Sequence, residues 1–477
     1  MKKSSHTLKR RLNARILSMI ALGGSIGTGI FLASAHALSI AGPGGTLLAY
    51  VLMGLAVYFV MGSLGEMAAF LPSTGSFYMY AARFFDPSLG YALGWNYWYS
   101  CAVYIASELA ASSLLMRFWF PDSPPILWCA LFLTLILGFN AISTRVFGEI
   151  EYWMSFIKVT VIILFVVCGF LLIAGVTPYK AGGFANWQVD GGPFRGSWIG
   201  FIGALVTAGF SFQGTEMIGV AAGESSDPQQ NIPKAIKMIF WRILLFFVLS
   251  LFVISLLIPS NAPQLANADV VTSPFTLVFT QFNENYAAFA MNVVILIAII
   301  STANSSMYIG SRILWFLAKE GHMPHVFSVV NHRGVPIYAL AITSLVAMLA
   351  FLSSIFGNGT VYFWLLNATS LSGFIAWMGI SISHYRFRKA YLLQGKDLRD
   401  LPYVAKGYPF APMCAFMMSL VVICGQNYSA FSGATIDWYG IVVSYICIPV
   451  FMLIWLIHKW YYKTRLIPLM KCDFSQD

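Results

Sequence analysis

Hydrophobic residues dominate twelve long segments of the chain, and short polar stretches separate these segments. Each segment has about the length of the roughly 20 apolar residues that a helix needs to cross a bilayer. The pattern predicts an all-α integral membrane protein with twelve transmembrane helices. Their predicted ranges are 16–38, 44–70, 90–116, 125–145, 152–176, 197–222, 239–259, 287–317, 335–356, 360–385, 409–430 and 438–460.

The composition excludes a soluble protein. Of the 477 residues, 58% are hydrophobic and only 10% are charged, whereas a soluble domain carries about 25% charged residues. The seven cysteines form no CxxC pair and lie mostly in apolar segments, so we expect no disulfide framework, metal or cofactor. In a membrane protein the net charge of +10 is interpreted by loop position, and it does not indicate nucleic-acid binding.

The distribution of basic residues predicts the orientation. With both termini in the cytoplasm, nearly all Lys and Arg fall in cytoplasmic segments, among them Arg242, Arg312 and Arg388. Only three fall outside: Arg117, Lys180 and Arg195. This bias predicts that both termini are cytoplasmic, with tails at 1–15 and 464–477. The longest external loop, 260–286, is either a lid or an ordinary surface loop.

Two of the predicted helices contain a break. The segment Gly23–Phe31 holds four glycines among its first seven residues, and each glycine costs about 1 kcal/mol against alanine in a helix interior. The alternative is a close-packing GxxxG face. In the sixth helix, Gly209–Glu216 places Ser, Gln, Thr and a carboxylate near the middle of a span. Both segments are predicted to unwind.

Breaks five helices apart indicate two inverted repeats, at 16–176 and 177–386, followed by helices 11 and 12 at 387–463. A half-helix that ends at a break offers free carbonyls to an ammonium group, and one that begins there offers free N–H groups to a carboxylate. The pattern therefore predicts a site for a zwitterion such as an α-amino acid. The candidate substrate-binding residues at the breaks are Ser25, Ile26, Gly27, Thr28, Gly29, Phe210, Ser211, Gln213 and Glu216.

Three charged residues inside predicted spans are candidates for function, because charge at membrane depth is costly. Glu108 lies on a polar stripe of its helix and is expected to contact substrate or a proton, or else to bond a neighbouring helix. Lys158 is expected to have a coupling role or to snorkel to the surface. It lies seven residues from Glu151, which stands at the predicted boundary. Glu216 braces the unwound backbone or carries a proton. Glu66 is interpreted as a packing or gate residue, and His384 as the start of a basic loop.

Several motifs resemble one family over nearly the whole chain. They are Gly24–Phe31, Ala41–Gly45, Gly94–Trp98, Phe212–Glu216, Ala222–Glu224, Asn304–Tyr308 and Ser383–Arg388. Together they resemble the amino acid–polyamine–organocation superfamily, in the branch of bacterial amino acid permeases. Gln213 before Gly-Thr-Glu is similar to the subgroup that transports basic amino acids.

The resemblance implies a leucine-transporter-type fold and proton-coupled uptake across the cytoplasmic (inner) membrane. It also implies that carbonyls of Ser25, Phe210 and Gln213 hold the α-ammonium group, and that Thr28 and Gly29 hold the carboxylate. Lys158 would occupy the place of a sodium ion in sodium-driven relatives, near Asn304 and Ser305.

From these observations we expect a proton-coupled lysine importer that works by alternating access, with lysine, protons and membrane lipid as its partners. An enzyme is disfavoured because the spans contain no HExxH, GxSxG or Cys/His pairing. Import of arginine, histidine or a neutral amino acid remains open, as does a nutrient sensor with a protein partner.

Overall fold

The structure is a computed structural model that describes residues 12–24, 26–176, 182–189, 192–266, 273–281, 285–432 and 436–475. In these ranges the regular structure is helical apart from an isolated bridge between Leu12 and Ser225. Within the described ranges, eight helices are long and apolar enough to cross a membrane, or nine if a bent pair counts as one span. The prediction of an all-α multi-span membrane protein is confirmed at this level.

The helices follow the predicted apolar segments in order. They are α1 (Ala14–Gly23), α2 (Gly29–Phe70), α3 (Ser76–Phe84), α4 (Pro87–Met116), α5 (Pro125–Ile142), α6 (Thr144–Ile173), α7 (Ser197–Phe212), α8 (Met217–Ala221), α9 (Pro228–Leu257), α10 (Pro263–Ala266), α11 (Pro274–Gln281), α12 (Asn285–Lys319), α13 (Ile337–Phe356), α14 (Asn358–Leu393), α15 (Phe410–Gly425), α16 (Trp438–Tyr445) and α17 (Cys447–Tyr462).

Three helices extend beyond their predicted ends. A hydrogen bond from Val146 N to the Ser143 side chain caps α6, so this helix begins eight residues before position 152. Asp227 caps α9 ahead of Pro228, a favourable residue at the first helical position. The helix α14 continues to Leu393 and so crosses the predicted boundary at 386/387. A hydropathy pattern ends a predicted segment at its first charged residues. The helix itself can continue past them when those residues have partners inside the protein.

By sequence, Arg242, Arg312 and Arg388 count with the cytoplasmic segments, and in the structure all three side chains are buried within helices. The interpretation of His384 as the start of a basic loop is wrong, because it lies inside α14 and is fully buried. These side chains contact acidic or hydroxyl groups from other parts of the chain.

The helix α4 lies at the centre of the molecule. Of its apolar window, 94% is buried, against 28% for α5 and for α6, so α4 is surrounded by protein while α5 and α6 present long apolar faces outward. The helix α4 packs mainly on α12 and α14, and α2 packs on α7. This arrangement places the Glu108 side chain of α4 in the interior.

The segment proposed as a lid packs against the helices where the structure describes it. Phe275 of α11 is fully buried, with its ring centroid 5.0 Å from that of Phe31 and 4.6 Å from that of Phe165. Residues 267–272 and 282–284 lie outside the described part of the chain. The position of Phe275 ties this segment to the first turns of α2.

The C-terminal residues fold back onto α3 and α14. Phe474 is buried and contacts the rings of Phe84 and Tyr391. Arg83 donates a hydrogen bond to Asp473 at 2.7 Å, and the Ser475 N–H together with Arg83 lowers the pKa of Asp473 to about 2.

Candidate binding site at two helix breaks

The first break lies where the glycines predicted it. The helix α1 ends at Gly23 and α2 begins at Gly29, and Ile26, Gly27, Thr28 and Gly29 are all buried. Ser25 lies outside the described residues. The Ile26 carbonyl oxygen accepts hydrogen bonds from Thr302 Oγ1 at 3.1 Å and from Lys158 Nζ at 3.4 Å. Side chains of α12 and α6 thus replace the helical bonds that this carbonyl lacks.

The second break follows Phe212, where α7 ends. Gln213 is extended, with φ −61° and ψ 150°, and Gly214 has φ +90°, a conformation that glycine adopts without steric cost. The Glu216 carboxylate accepts hydrogen bonds from Gly214 N at 3.2 Å, from Tyr97 OH at 2.7 Å and from Trp377 Nε1 at 3.0 Å. Both oxygens hold protein donors, so the geometry favours bracing for Glu216 over substrate contact.

The two breaks touch each other. An ideal Cβ on Gly29 would lie 2.5 Å from Ser211 Cα, so only glycine permits this approach. The Ser211 hydroxyl is engaged with Tyr50 OH at 2.8 Å and Thr207 O at 2.9 Å, and Gln213 Nε2 donates to Ser370 O at 2.6 Å. The Ser211 hydroxyl and the Gln213 amide nitrogen therefore already have protein partners.

The close approach predicts a loss of stability for Gly29→Ala. The added methyl group meets backbone rather than a flexible side chain, and overpacking of this kind costs about 1–3 kcal/mol. Gly138→Ala on the exposed face of α5 is the matched control, because its Cβ would meet nothing within 4 Å. The thermal unfolding midpoint in detergent should fall for Gly29→Ala and stay or rise for Gly138→Ala. Equal midpoints would contradict the contact.

Glu108 faces the first break and carries an unsatisfied oxygen. The residue is fully buried, and Thr28 Oγ1 donates to its Oε1 at 2.8 Å. The Tyr104 hydroxyl of the same helix lies close to the carboxylate, but Oε2 has no hydrogen bond of good geometry with any of the described residues. A buried carboxylate oxygen without a donor is costly, so this atom is available to a cationic or hydrogen-bonding ligand.

Two cavities flank the breaks. A small one of about 20 Å³, lined by Tyr104, Gln213 and Gly214 among others, has room for roughly one water molecule. A larger one of about 650 Å³ lies between α2, α7, α14 and α15 and is lined by Phe210 and Asn367. The rings of Phe210 and Tyr104 contact at 5.7 Å, so Phe210 stands between the two spaces. The sequence had suggested only a role for its carbonyl.

Lys158 is fully buried on α6, which rules out snorkelling to the surface. Its Nζ donates to Ser301 Oγ on α12 at 2.8 Å, in addition to the bond with the Ile26 carbonyl. The ammonium group therefore links the first break to α12.

In the sequence analysis Glu151 only marks the predicted boundary and is not named as a functional candidate. It is fully buried; Ser301 Oγ donates to its Oε1 at 2.5 Å, and Asn304 Nδ2 to its Oε2 at 3.2 Å. Lys158 and Asn304 are thus joined through Ser301 and Glu151, whereas the buried Ser305 hydroxyl has no hydrogen-bond partner among the described residues. The spacing of seven residues, which puts Glu151 and Lys158 on one helical face, was the available signal.

Arg242 supports the second break from α9. The residue is fully buried, and its Nη2 donates to Thr215 Oγ1 at 2.6 Å. Thr215 Oγ1 in turn donates to the Phe212 carbonyl at 2.5 Å, the last residue of α7. A cation therefore holds the end of this half-helix, where the dipole favours positive charge.

Two further buried ionic clusters join segments that are distant in sequence. Arg312 Nε pairs with Glu224 Oε1 at 2.9 Å, and Leu12 N donates to the Glu224 carbonyl at 3.0 Å. Glu66 accepts from Arg388 and from Ala405 N. Breaking a buried pair is strongly destabilising, so these clusters hold α1, α2 and α14 to their neighbours.

Comparison with known proteins identifies the family. A family model described as amino acid permease matches residues 17–468. The chain belongs to the amino acid permease family. This permease is 50% identical to the lysine-specific permease of Escherichia coli, over 98% of this chain and 97% of that protein. It is 46% identical to the lysine-specific permease of Lactococcus lactis subsp. cremoris, over 98% and 93% of the two chains.

A histidine permease of the same Lactococcus is 45% identical to this permease, over 99% of each chain. The resemblance to amino acid permeases is confirmed by these matches. They make the chain a multi-span membrane transporter rather than an enzyme.

Proposed function

We propose that this permease imports lysine together with protons across the cytoplasmic membrane by alternating access. The observation that carries the proposal is the meeting of two helix breaks beside a buried carboxylate, one oxygen of which has no well-formed hydrogen bond with the residues that the structure describes. Irregular backbone at membrane depth is tolerated only where it lines a cavity or is buried in protein. In secondary transporters, the irregular backbone of a pair of broken helices forms the substrate site.

The helices support a twelve-span, leucine-transporter-type arrangement. The kink at Gly42, where φ is 71° and ψ is 176°, divides α2 between a first and a second span. The first span then comprises α1 and the start of α2, and the sixth comprises α7 and α8. With α15 and the α16–α17 pair as the last two, the count reaches twelve. We assign 16–176 and 177–386 to the inverted repeats, and both tails to the cytoplasm.

The substrate backbone would bind at the breaks. The N–H groups at the start of α2, at Thr28 and Gly29, suit a carboxylate, and the carbonyls of Ser25, Phe210 and Gln213 suit an α-ammonium group. Both ends of the amino acid are therefore required.

Analogues that lack one end test this site. Cadaverine lacks the carboxylate and 6-aminohexanoate lacks the α-amino group, so each leaves buried polar groups of the permease unpaired. Each should bind more weakly than lysine by more than about 2 kcal/mol. The measurement is competition against labelled lysine on purified protein. Competition by either analogue within about threefold of lysine would reject the site.

The lysine side chain would pair with Glu108. Its ε-ammonium group, entering a low-dielectric site, needs an anion or several acceptors, and Glu108 Oε2 offers one. The relatives most similar to this permease include two lysine-specific proteins. The histidine permease at 45% identity makes histidine the second candidate substrate.

Counterflow into proteoliposomes decides between these substrates. Purified permease is reconstituted with unlabelled lysine inside, and uptake of labelled lysine is measured with equal concentrations of external competitor. Lysine should compete best, ahead of arginine, histidine and leucine. Stronger competition by histidine would favour the second candidate. The absence of any counterflow by purified protein would favour a sensor that acts through a partner.

A further inference from the structure

A continuous hydrogen-bonded path connects Lys158 with a second titratable group. Lys158 Nζ is 2.8 Å from Ser301 Oγ, and Ser301 Oγ is 2.5 Å from Glu151 Oε1. All three side chains are fully buried. A serine hydroxyl both accepts and donates a hydrogen bond, so Ser301 bridges an ammonium group and a carboxylate that do not touch directly.

We propose that Glu151 is the inner proton acceptor for Lys158 and that Ser301 relays the proton between them. This inference rests on the proposed function, which it deepens by naming the group that takes the proton after Lys158. In one step, an N–H bond of Lys158 breaks as Ser301 Oγ takes the proton. The Ser301 O–H hydrogen passes to Glu151 Oε1, and the hydroxyl is restored.

The charges make this transfer feasible inside the protein. An ammonium–carboxylate pair becomes a neutral amine and a carboxylic acid, so the net charge of the pair is zero before and after. The other charged groups that act on Lys158 are Glu108 of α4 and Arg242 of α9. Asn304 fixes the second Glu151 oxygen by its amide at 3.2 Å, which leaves Oε1 directed at Ser301.

The helix α1 covers the face of α6 that carries Glu151, and we place the route from Glu151 to water along this face. Gly148 precedes Glu151 by three residues and shares its face of α6. An ideal Cβ on Gly148 would lie 3.0 Å from Ile16 Cγ2 and 3.3 Å from Leu12 Cδ2, so α1 covers this face. In the proposed relay, movement of α1 away from α6 opens this face to water, and Glu151 then releases the proton. Lys158 regains a proton from water on the opposite side of the membrane.

The proposal is tested with two substitutions in the full-length permease in proteoliposomes. Glu151→Gln removes the acceptor, and Ser301→Ala removes only the bridging hydroxyl. Ser301→Thr restores a hydroxyl and serves as the rescue. Ser419→Ala is the matched control, because this buried hydroxyl of α15 bonds only the Ala415 carbonyl of its own helix.

Two readouts separate coupling from folding. Lysine accumulation under an inside-alkaline pH gradient, with lumenal pH followed by trapped pyranine, should fall at least tenfold for Glu151→Gln and Ser301→Ala. Counterflow without a gradient should stay within about threefold of the unmodified permease. Ser301→Thr should recover most of the accumulation, and Ser419→Ala should show no loss.

Accumulation and lumenal acidification at the unmodified level in either Glu151→Gln or Ser301→Ala would overturn the relay. So would an equal loss of counterflow and accumulation in both variants, since that result assigns the residues a structural role. The unmodified permease tests the proposed function separately. If it accumulates no lysine under the gradient, the function fails, whereas normal accumulation with unaffected variants rejects the relay alone.

Discussion

We expect Lys158→Ala to abolish the accumulation of lysine that a pH gradient drives, so that internal lysine only equilibrates with the outside. The physical reason is that Lys158 is the one buried cation bonded to both the first break, at Ile26 O, and α12, at Ser301 Oγ, in the part of the chain that the structure describes. A change in its charge alters both contacts together. Binding of lysine should weaken less than accumulation, because the substrate contacts lie elsewhere at the breaks.

Lys158→Met is the companion variant, since it keeps an unbranched side chain without charge. Lys237→Ala, at an exposed position of α9, is the control for loss of a lysine. Uptake is measured in proteoliposomes with and without the gradient, and binding is measured in detergent. Accumulation by Lys158→Ala at the level of the unmodified permease would show that the coupling role is wrong.

We expect Glu108→Gln to weaken lysine binding by about 2 kcal/mol or more. A loss of this size is typical when a desolvated charge loses its partner. The substitution keeps the shape of the side chain and its hydrogen bond with Thr28, but removes the charge opposite the ε-ammonium group. Norleucine, which lacks that group, should lose much less affinity or gain some. Affinities for both ligands are measured at one pH in detergent, where no gradient exists.

Glu320→Gln is the matched control, because Glu320 is an exposed residue just beyond the end of α12. It should change neither affinity, since it lies at the far end of α12 from Thr302, which contacts the first break. An equal loss of lysine and norleucine affinity in Glu108→Gln would assign Glu108 a structural or proton-carrying role. The proposal of lysine as substrate would then rest on Gln213 and on the relatives.

The positions of the breaks could be predicted from sequence because their cause is local. Glycines at 23, 24, 27 and 29 disfavour helix wherever they occur, and Gly214 permits the positive φ that follows Gln213. The apolar segments likewise indicate the membrane-embedded helices, because burial in lipid acts on each helix separately.

The partners of the buried charges could not be predicted, because they come from helices distant in sequence. Glu151 meets Ser301 across 150 positions, and Arg388 meets Glu66 across 322. A hydropathy pattern treats such residues as the solvated ends of spans. For the same reason the sequence did not show that Tyr50 bonds the Ser211 side chain or that Tyr97 bonds the Glu216 carboxylate.

The most direct measurement is uptake of labelled lysine by the purified permease in proteoliposomes with an imposed inside-alkaline pH gradient, in medium free of sodium. We predict accumulation above the external concentration, acidification of the lumen in step with uptake, and collapse of both on addition of a protonophore. Equilibration without accumulation, or accumulation that requires sodium and ignores the protonophore, would contradict proton-coupled lysine import.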